Sequence, residues 1–117
     1  MFMVLAFLSK REGIETRAFI DYYEKHVPLI CSLAATPIVY KRRYVLEKLT
    51  KEGGAIDFDV VTELGFADRG AYLAWMAKLS APGAGEQVAV DEAKFLDRSR
   101  TRAYVVEEYV TADSVVR

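Results

Sequence analysis

The chain has 117 residues, 52% of them apolar and 28% charged, with a formal net charge of −1. That length suits one domain, 1–117, burying roughly two thirds of the surface its unfolded chain exposes, and the composition excludes disorder. The charge gives no general attraction to nucleic acid or membrane, and a single cysteine and a single histidine exclude an intramolecular disulfide and a zinc-type cluster.

The opening "MFMVLAFLSK" is apolar over only eight residues and has no basic leader. It is too short to span a bilayer, so a soluble cytoplasmic protein is expected. Residues 2–9 read instead as a strand buried on both faces. "KREG" is a turn, and Thr16 is placed to cap a helix over 17–34. "IVYKRRYVLEKL", 38–49, reads as a second strand, "TKEGGAI" as a flexible connection, and "FDVVTELGFA", 58–67, as a third strand. Asp68 caps a helix that sets Tyr72, Trp75, Met76 and Leu79 on one stripe. "SAPGAG" breaks it, a shorter helix covers 86–96, and "TRAYVVEEYV", 101–110, is the last strand. The tail, 111–117, receives no assignment.

This β-α-β-β-α-β order predicts an α+β, ferredoxin-like split unit: one four-stranded antiparallel sheet with helices on one face. The uncovered face then presents a problem. The first strand is apolar on both sides, and the last puts Val105 and Tyr109 opposite Tyr104 and Val106. Monomers rarely tolerate an apolar patch of that size. A homodimer packed through the sheet face removes it.

The one histidine, His26, sits in "YYEKHVPLI". On a helical wheel, Phe19, Tyr22, Tyr23, Leu29, Ile30 and Leu33 fall within about 60° of it. Arg17, Asp21, Glu24 and Lys25 cover the other side, so the ring points inward. Two readings stay open. The ring is a core histidine bonded to a carbonyl or hydroxyl, or it is a general acid/base in an apolar pocket, tuned by burial and a nearby carboxylate. Pro28 projects from the solvent side of the helix, where it removes the hydrogen bond to the Glu24 carbonyl. That costs about 3 kcal/mol in helix propensity, and a kink that sets the ring's height above the sheet is one offset.

"FIDYYEKHVPLI" together with the later "DEAKFLDRSRTRAYVVEEYV" resembles the EthD-like family of the dimeric α+β barrel superfamily. The resemblance implies a ferredoxin-like protomer, a sheet-to-sheet homodimer forming a dimeric α+β barrel, and a pocket between sheet and helices. It also implies activities connected with xenobiotic ethers, or with dehydration and decarboxylation of aromatic polyketides. Carried over, the family's helix histidine falls on His26 and its acidic position on Asp97.

Asp97 is therefore expected to orient His26, as a carboxylate orients an imidazole elsewhere, or else to be a turn cap. Tyr22, one turn before His26, is the expected polar pocket member. Tyr23, Tyr44, Phe66, Trp75, Phe95 and Tyr104 are candidates to line a pocket for a flat apolar ligand, or to be ordinary core. Among the basic residues Lys41, Arg42, Arg43, Arg98, Arg100 and Arg102, a solvated rim is one reading. Arg43 is the candidate to hold a substrate carboxylate or phenolate. Cys31 projects away from His26, and "PGAGEQ" lacks a phosphate-loop signature and reads as a lid-like turn.

Three functions follow as expectations. The first is a cofactor-independent enzyme doing acid/base chemistry (dehydration, decarboxylation or isomerisation) on a hydrophobic carbonyl compound, with His26, Asp97 and Tyr22 at its centre. The second, implied by the superfamily resemblance, is a haem- or flavin-dependent monooxygenase-like protein, in which His26 can serve as a single axial haem ligand. The third is a non-catalytic ligand-binding accessory protein.

Overall fold

A computed structural model describes residues 1–112 of the chain, so residues 113–117 of the unassigned tail lie outside the described residues. The elements follow in the order β1 (Phe2–Leu8), α1 (Thr16–Leu33), β2 (Val39–Tyr44), β3 (Val60–Phe66), α2 (Arg69–Leu79), α3 (Ala84–Glu92), a 3-10 turn (Arg98–Arg100) and β4 (Arg102–Val106). All strand pairs are antiparallel, and the sheet order is β2-β3-β1-β4. This is the ferredoxin-like arrangement expected from the element order. Among the described residues no helix is long and apolar enough to cross a membrane.

Strand alternation divides the sheet into two faces. Phe2, Val4, Ala6 and Leu8 of β1 share the helix side with Val60, Thr62, Leu64 and Phe66 of β3 and with Tyr40, Arg42 and Tyr44 of β2. The core on that side is split. One cluster joins Leu8, Ile14, Phe19, Tyr23, Val60, Phe95 and Leu96. The other joins Val4, Leu64 and Phe66, with Tyr72 and Trp75 packed against them. The opposite face carries Met3, Leu5 and Phe7 of β1, Val61 and Glu63 of β3, and Tyr104 and Val106 of β4.

Several boundaries differ from the sequence reading. Glu15, not Thr16, occupies the N-cap of α1, and its side chain makes no capping bond. The Thr16 hydroxyl instead accepts from the Lys10 ammonium at 3.1 Å. β2 stops at Tyr44 and β4 at Val106 because their neighbours run out: Tyr44 pairs with Val60, the first residue of β3, and Val106 with Met3 near the start of β1. The last helix ends at Glu92 rather than residue 96, and the chain then pins itself to the end of β1 through the Lys10–Leu96 bridge. Asp68 does cap α2, accepting from the Ala71 N–H at 2.8 Å. Glycine is required at position 83, where φ is +87° at the start of α3 and the Glu86 carboxylate accepts from its N–H.

Phe19 is fully buried and touches Tyr23, Tyr44 and Phe95 through ring–ring contacts. Truncation to Ala is expected to cost about 3–5 kcal/mol, read from urea unfolding midpoints at unchanged slope. A loss under about 1 kcal/mol would show that this cluster does not hold α1 to the sheet.

Candidate active site

The buried positions of α1 are Phe19, Tyr23, His26 and Ile30. Their spacing of four, three and four residues is the inward stripe of an amphipathic helix. His26 is carried inside by that register and is 2% exposed. Pro28 lies on the exposed side of the same helix, so the missing N–H leaves the buried stripe intact.

The imidazole packs against the Phe95 ring, 5.2 Å between centroids. Its nitrogens face two consecutive carboxylates at the end of α3. Asp91 Oδ2 lies 2.6 Å from Nδ1, and Glu92 Oε2 lies 3.4 Å from Nε2. Each acid has a second cation: Lys94 Nζ is 3.4 Å from Asp91 Oδ1, and Arg98 Nε is 3.0 Å from Glu92 Oε1. The five side chains form a row of alternating charge. Acids in the last turn of a helix sit at the unfavourable end of its dipole, so these two are stabilised by the cations around them rather than by α3.

Burial pushes the His26 pKa down, but the hydrogen bonds and charges of Glu92 and Asp91 outweigh it and leave the pKa above its ordinary value. Burial pushes the Asp91 carboxyl up, and the bond and charge of His26, aided by Lys94, hold it below its ordinary value.

A cavity of about 430 Å³ adjoins the ring. Ala6, Leu8, Thr62 and Leu64 of the sheet form its floor. Ile30, Trp75, Met76, Leu79 and Val88 supply apolar walls, and Glu92 and Arg98 also line it. Asp91 does not; it faces a shallow surface cleft beside Leu29 and Lys94. Nε2 is therefore the nitrogen on the cavity side, and Nδ1 is the one held from behind. At the floor, the Tyr23 and Thr62 hydroxyls share a 2.6 Å hydrogen bond. Burial, only partly offset by Thr62, pushes the Tyr23 phenol up to about 12, and burial pushes Tyr40 up as well. Both remain neutral hydroxyls at ordinary pH. Among the described residues no group of three or more His, Cys, Asp or Glu side chains is set to hold a metal ion.

A family model for the EthD domain matches residues 11–99. The chain belongs to the EthD family. A search of curated proteins finds no match. Among solved structures, an EthD family protein from Bacillus halodurans is similar at 18% identity and a TM-score of 0.62, covering 93% of this chain and 100% of that one. A protein from Arabidopsis thaliana is similar at 12% identity and a TM-score of 0.64, covering 96% and 99%. A Bacteroides fragilis protein described as dimeric, of unknown function and ferredoxin-like fold, is similar at 4% identity and a TM-score of 0.58, covering 92% and 95%. At these identities the solved structures establish the fold.

Within this EthD fold the residues singled out from sequence separate into groups. His26, Tyr23 and Trp75 line one cavity, and Phe95 is buried against the His26 ring. Tyr44 lies behind them, packed on Phe19 with its hydroxyl donating to Glu24. Phe66 lies under Trp75 and lines a separate hollow of about 320 Å³. Tyr22 is 42% exposed and does not border the cavity, because the buried stripe runs through Tyr23. Asp97 is bonded to the backbone N–H and hydroxyl of Ser99, the turn-cap alternative, while Asp91 occupies the place at His26 Nδ1. Arg43 and Tyr104 lie on the opposite sheet face, where Arg43 pairs with Glu63 at 2.8 Å.

Asp91, Glu92 and Arg98 are the residues that sequence reading missed as a group. One signal was available for Glu92: Val88, Glu92 and Phe95 are spaced four and three apart, so an acid interrupts an inward apolar stripe.

Because folding raises the His26 pKa, the ring's proton stabilises the fold. That contribution is complete below the unfolded value of about 6.5 and is lost as pH rises through the folded value. The lowered Asp91 pKa adds stability above its unfolded value near 3.9, lost as pH falls through the folded value. The imidazole resonance of the single histidine should therefore titrate above about 6.5 by NMR and shift downward in Asp91→Asn. A wild-type midpoint at or below about 6.5 contradicts the charged ring.

Proposed function

We propose that this EthD protein is a small cytoplasmic, cofactor-independent enzyme that moves protons on a hydrophobic, aromatic or polyketide-type carbonyl compound. The observation that carries this reading is the buried imidazole whose cavity-side nitrogen borders open, mostly apolar volume while the other nitrogen is held by Asp91. Asp91 fixes the ring orientation and stabilises its charged form, the role first assigned to Asp97. On substrate binding Nε2–H exchanges Glu92 for the substrate carbonyl oxygen and passes its proton to it, while the released Glu92 carboxylate takes the proton from the adjacent carbon. The enol formed in this way leads to isomerisation or dehydration; in decarboxylation the same oxygen is protonated while the carbon loses carbon dioxide in place of a proton. The Tyr23, Thr62 and Tyr40 hydroxyls at the cavity edge supply neutral hydrogen bonds, and the apolar walls strengthen each electrostatic contact by excluding water. The volume lies within the range of about 300–1,000 Å³ usual for small-molecule sites.

The test uses 2-tetralone in deuterated buffer, with exchange of its α-protons followed by NMR. The wild-type protein should accelerate exchange, and folded His26→Ala should lose about 10²-fold or more of that acceleration. Equal rates in the two proteins would remove His26 from the chemistry.

The second part of the proposal is a homodimer through the open sheet face. Met3, Leu5 and Phe7 there are only partly buried, and Tyr104 is 52% exposed. A second copy packed on this row would cover it. Leu5 lies directly across from Glu63, so Leu5→Glu sets like charges side by side at the centre of the face. Light scattering should give twice the chain mass for the wild type and the single mass for this variant. A monomeric wild type would end the dimer proposal.

A further inference from the structure

The cavity beside His26 has at its rim a cation whose hydrogen-bonding capacity is only partly used among the described residues. Arg98 lines that cavity, and its Nε approaches Glu92 at 3.0 Å. Its terminal amino groups make no hydrogen bond among the described residues. Other arginines nearby are occupied: Arg42 grips Glu24 with Nε and a terminal nitrogen, and Arg100 donates to the Asp57 carbonyl.

The turn that carries Arg98 is fixed at the backbone. The Asp97 N–H donates to the Ser9 carbonyl at 2.9 Å, and the Arg100 N–H donates to the Asp97 carbonyl at 3.1 Å. The Asp97 carboxylate accepts from the Ser99 N–H at 3.2 Å and from its hydroxyl at 2.6 Å. Asp97 therefore serves the site at one remove, as the cap of the turn that presents Arg98.

Charge along the row is unbalanced. Asp91 lies between Lys94 and His26, and Glu92 between His26 and Arg98. With the ring charged, three cations face two carboxylates, and Arg98, whose side chain is 56% exposed, is the end cation at the cavity rim. A guanidinium with free terminal amino groups matches a planar carboxylate through two parallel hydrogen bonds, which an ammonium cannot do.

We propose that Arg98 is the substrate-anchoring, specificity-determining residue of this cavity and that it selects aromatic compounds bearing a carboxylate. This rests on the reading of the cavity as the substrate site. It replaces Arg43, which lies on the other sheet face, as the acid-recognising arginine.

The test compares 2-naphthoate with 2-naphthamide, a pair alike in shape and different in charge. Affinities are measured by calorimetry, and the indole N–H resonance of Trp75, the single tryptophan, reports occupancy of the cavity it lines. Wild type should bind the carboxylate about tenfold or more tightly than the amide, Arg98→Gln should bring that ratio to about one, and Arg98→Lys should fall between. Equal affinities in wild type, with the Trp75 resonance shifting, overturn the role of Arg98 and leave the cavity reading standing. A preference that survives Arg98→Gln but is lost in His26→Gln assigns the anion to the imidazolium and likewise overturns it. If neither compound moves the Trp75 resonance, the cavity reading fails and this inference fails with it.

Discussion

The structure depends on one imidazole held between two carboxylates. A neutral ring has one donor nitrogen and so satisfies one of the two acids; a charged ring donates to both. The surroundings divide the desolvation unevenly. The His26 side chain is 3% exposed, whereas those of Asp91 and Glu92 are 25% and 21% exposed. The counter-ions keep part of their hydration while the cation sits in a dry position, which reduces the penalty that usually burdens a buried ion pair. Lys94 and Arg98 extend the row at both ends, so neither acid is left facing only one partner.

That pairing also shapes the cavity. The core on the helix side forms two clusters, one around Phe19 and Phe95 and the other around Phe66 and Trp75, and open volume remains between them. α2 has no fully buried residue: Tyr72 and Trp75 pack on Phe66, while Trp75, Met76 and Leu79 border the open volume. Trp75 is fixed at the divide by its indole N–H, which donates to the Ala35 carbonyl at 2.8 Å. A polar row entering an apolar core from α3 thus meets a void bounded by an aromatic wall, the arrangement small-molecule sites favour.

Much of the fold was legible along the chain. The β-α-β-β-α-β order, the Asp68 cap and the inward direction of His26 all rest on local signals: periodicity, capping chemistry and the alternation of apolar runs. Other readings failed for identifiable reasons. "VLEKL" after Tyr44 has the composition of a strand, but a strand also needs a neighbour, and β3 begins opposite Tyr44. Tyr22 and Tyr23 both fall within the angular tolerance of a helical wheel, yet only Tyr23 meets the sheet, through Thr62. Asp97 is displaced from His26 by the path of the chain after α3, which is set by its own backbone bond to Ser9, 88 positions away, and by the bridge between Leu96 and Lys10.

By itself the sequence determined the class of fold and the inward aim of the one titratable ring. Those properties follow from contacts among residues a few positions apart, where the 3.6 and 2.0 periods operate. Which carboxylates meet the ring, which arginine shares their cavity, and where the core leaves a void were decided only in three dimensions. His26 and Asp91 are 65 positions apart, and their meeting depends on how α1 and α3 dock on a shared sheet. No local pattern records that docking.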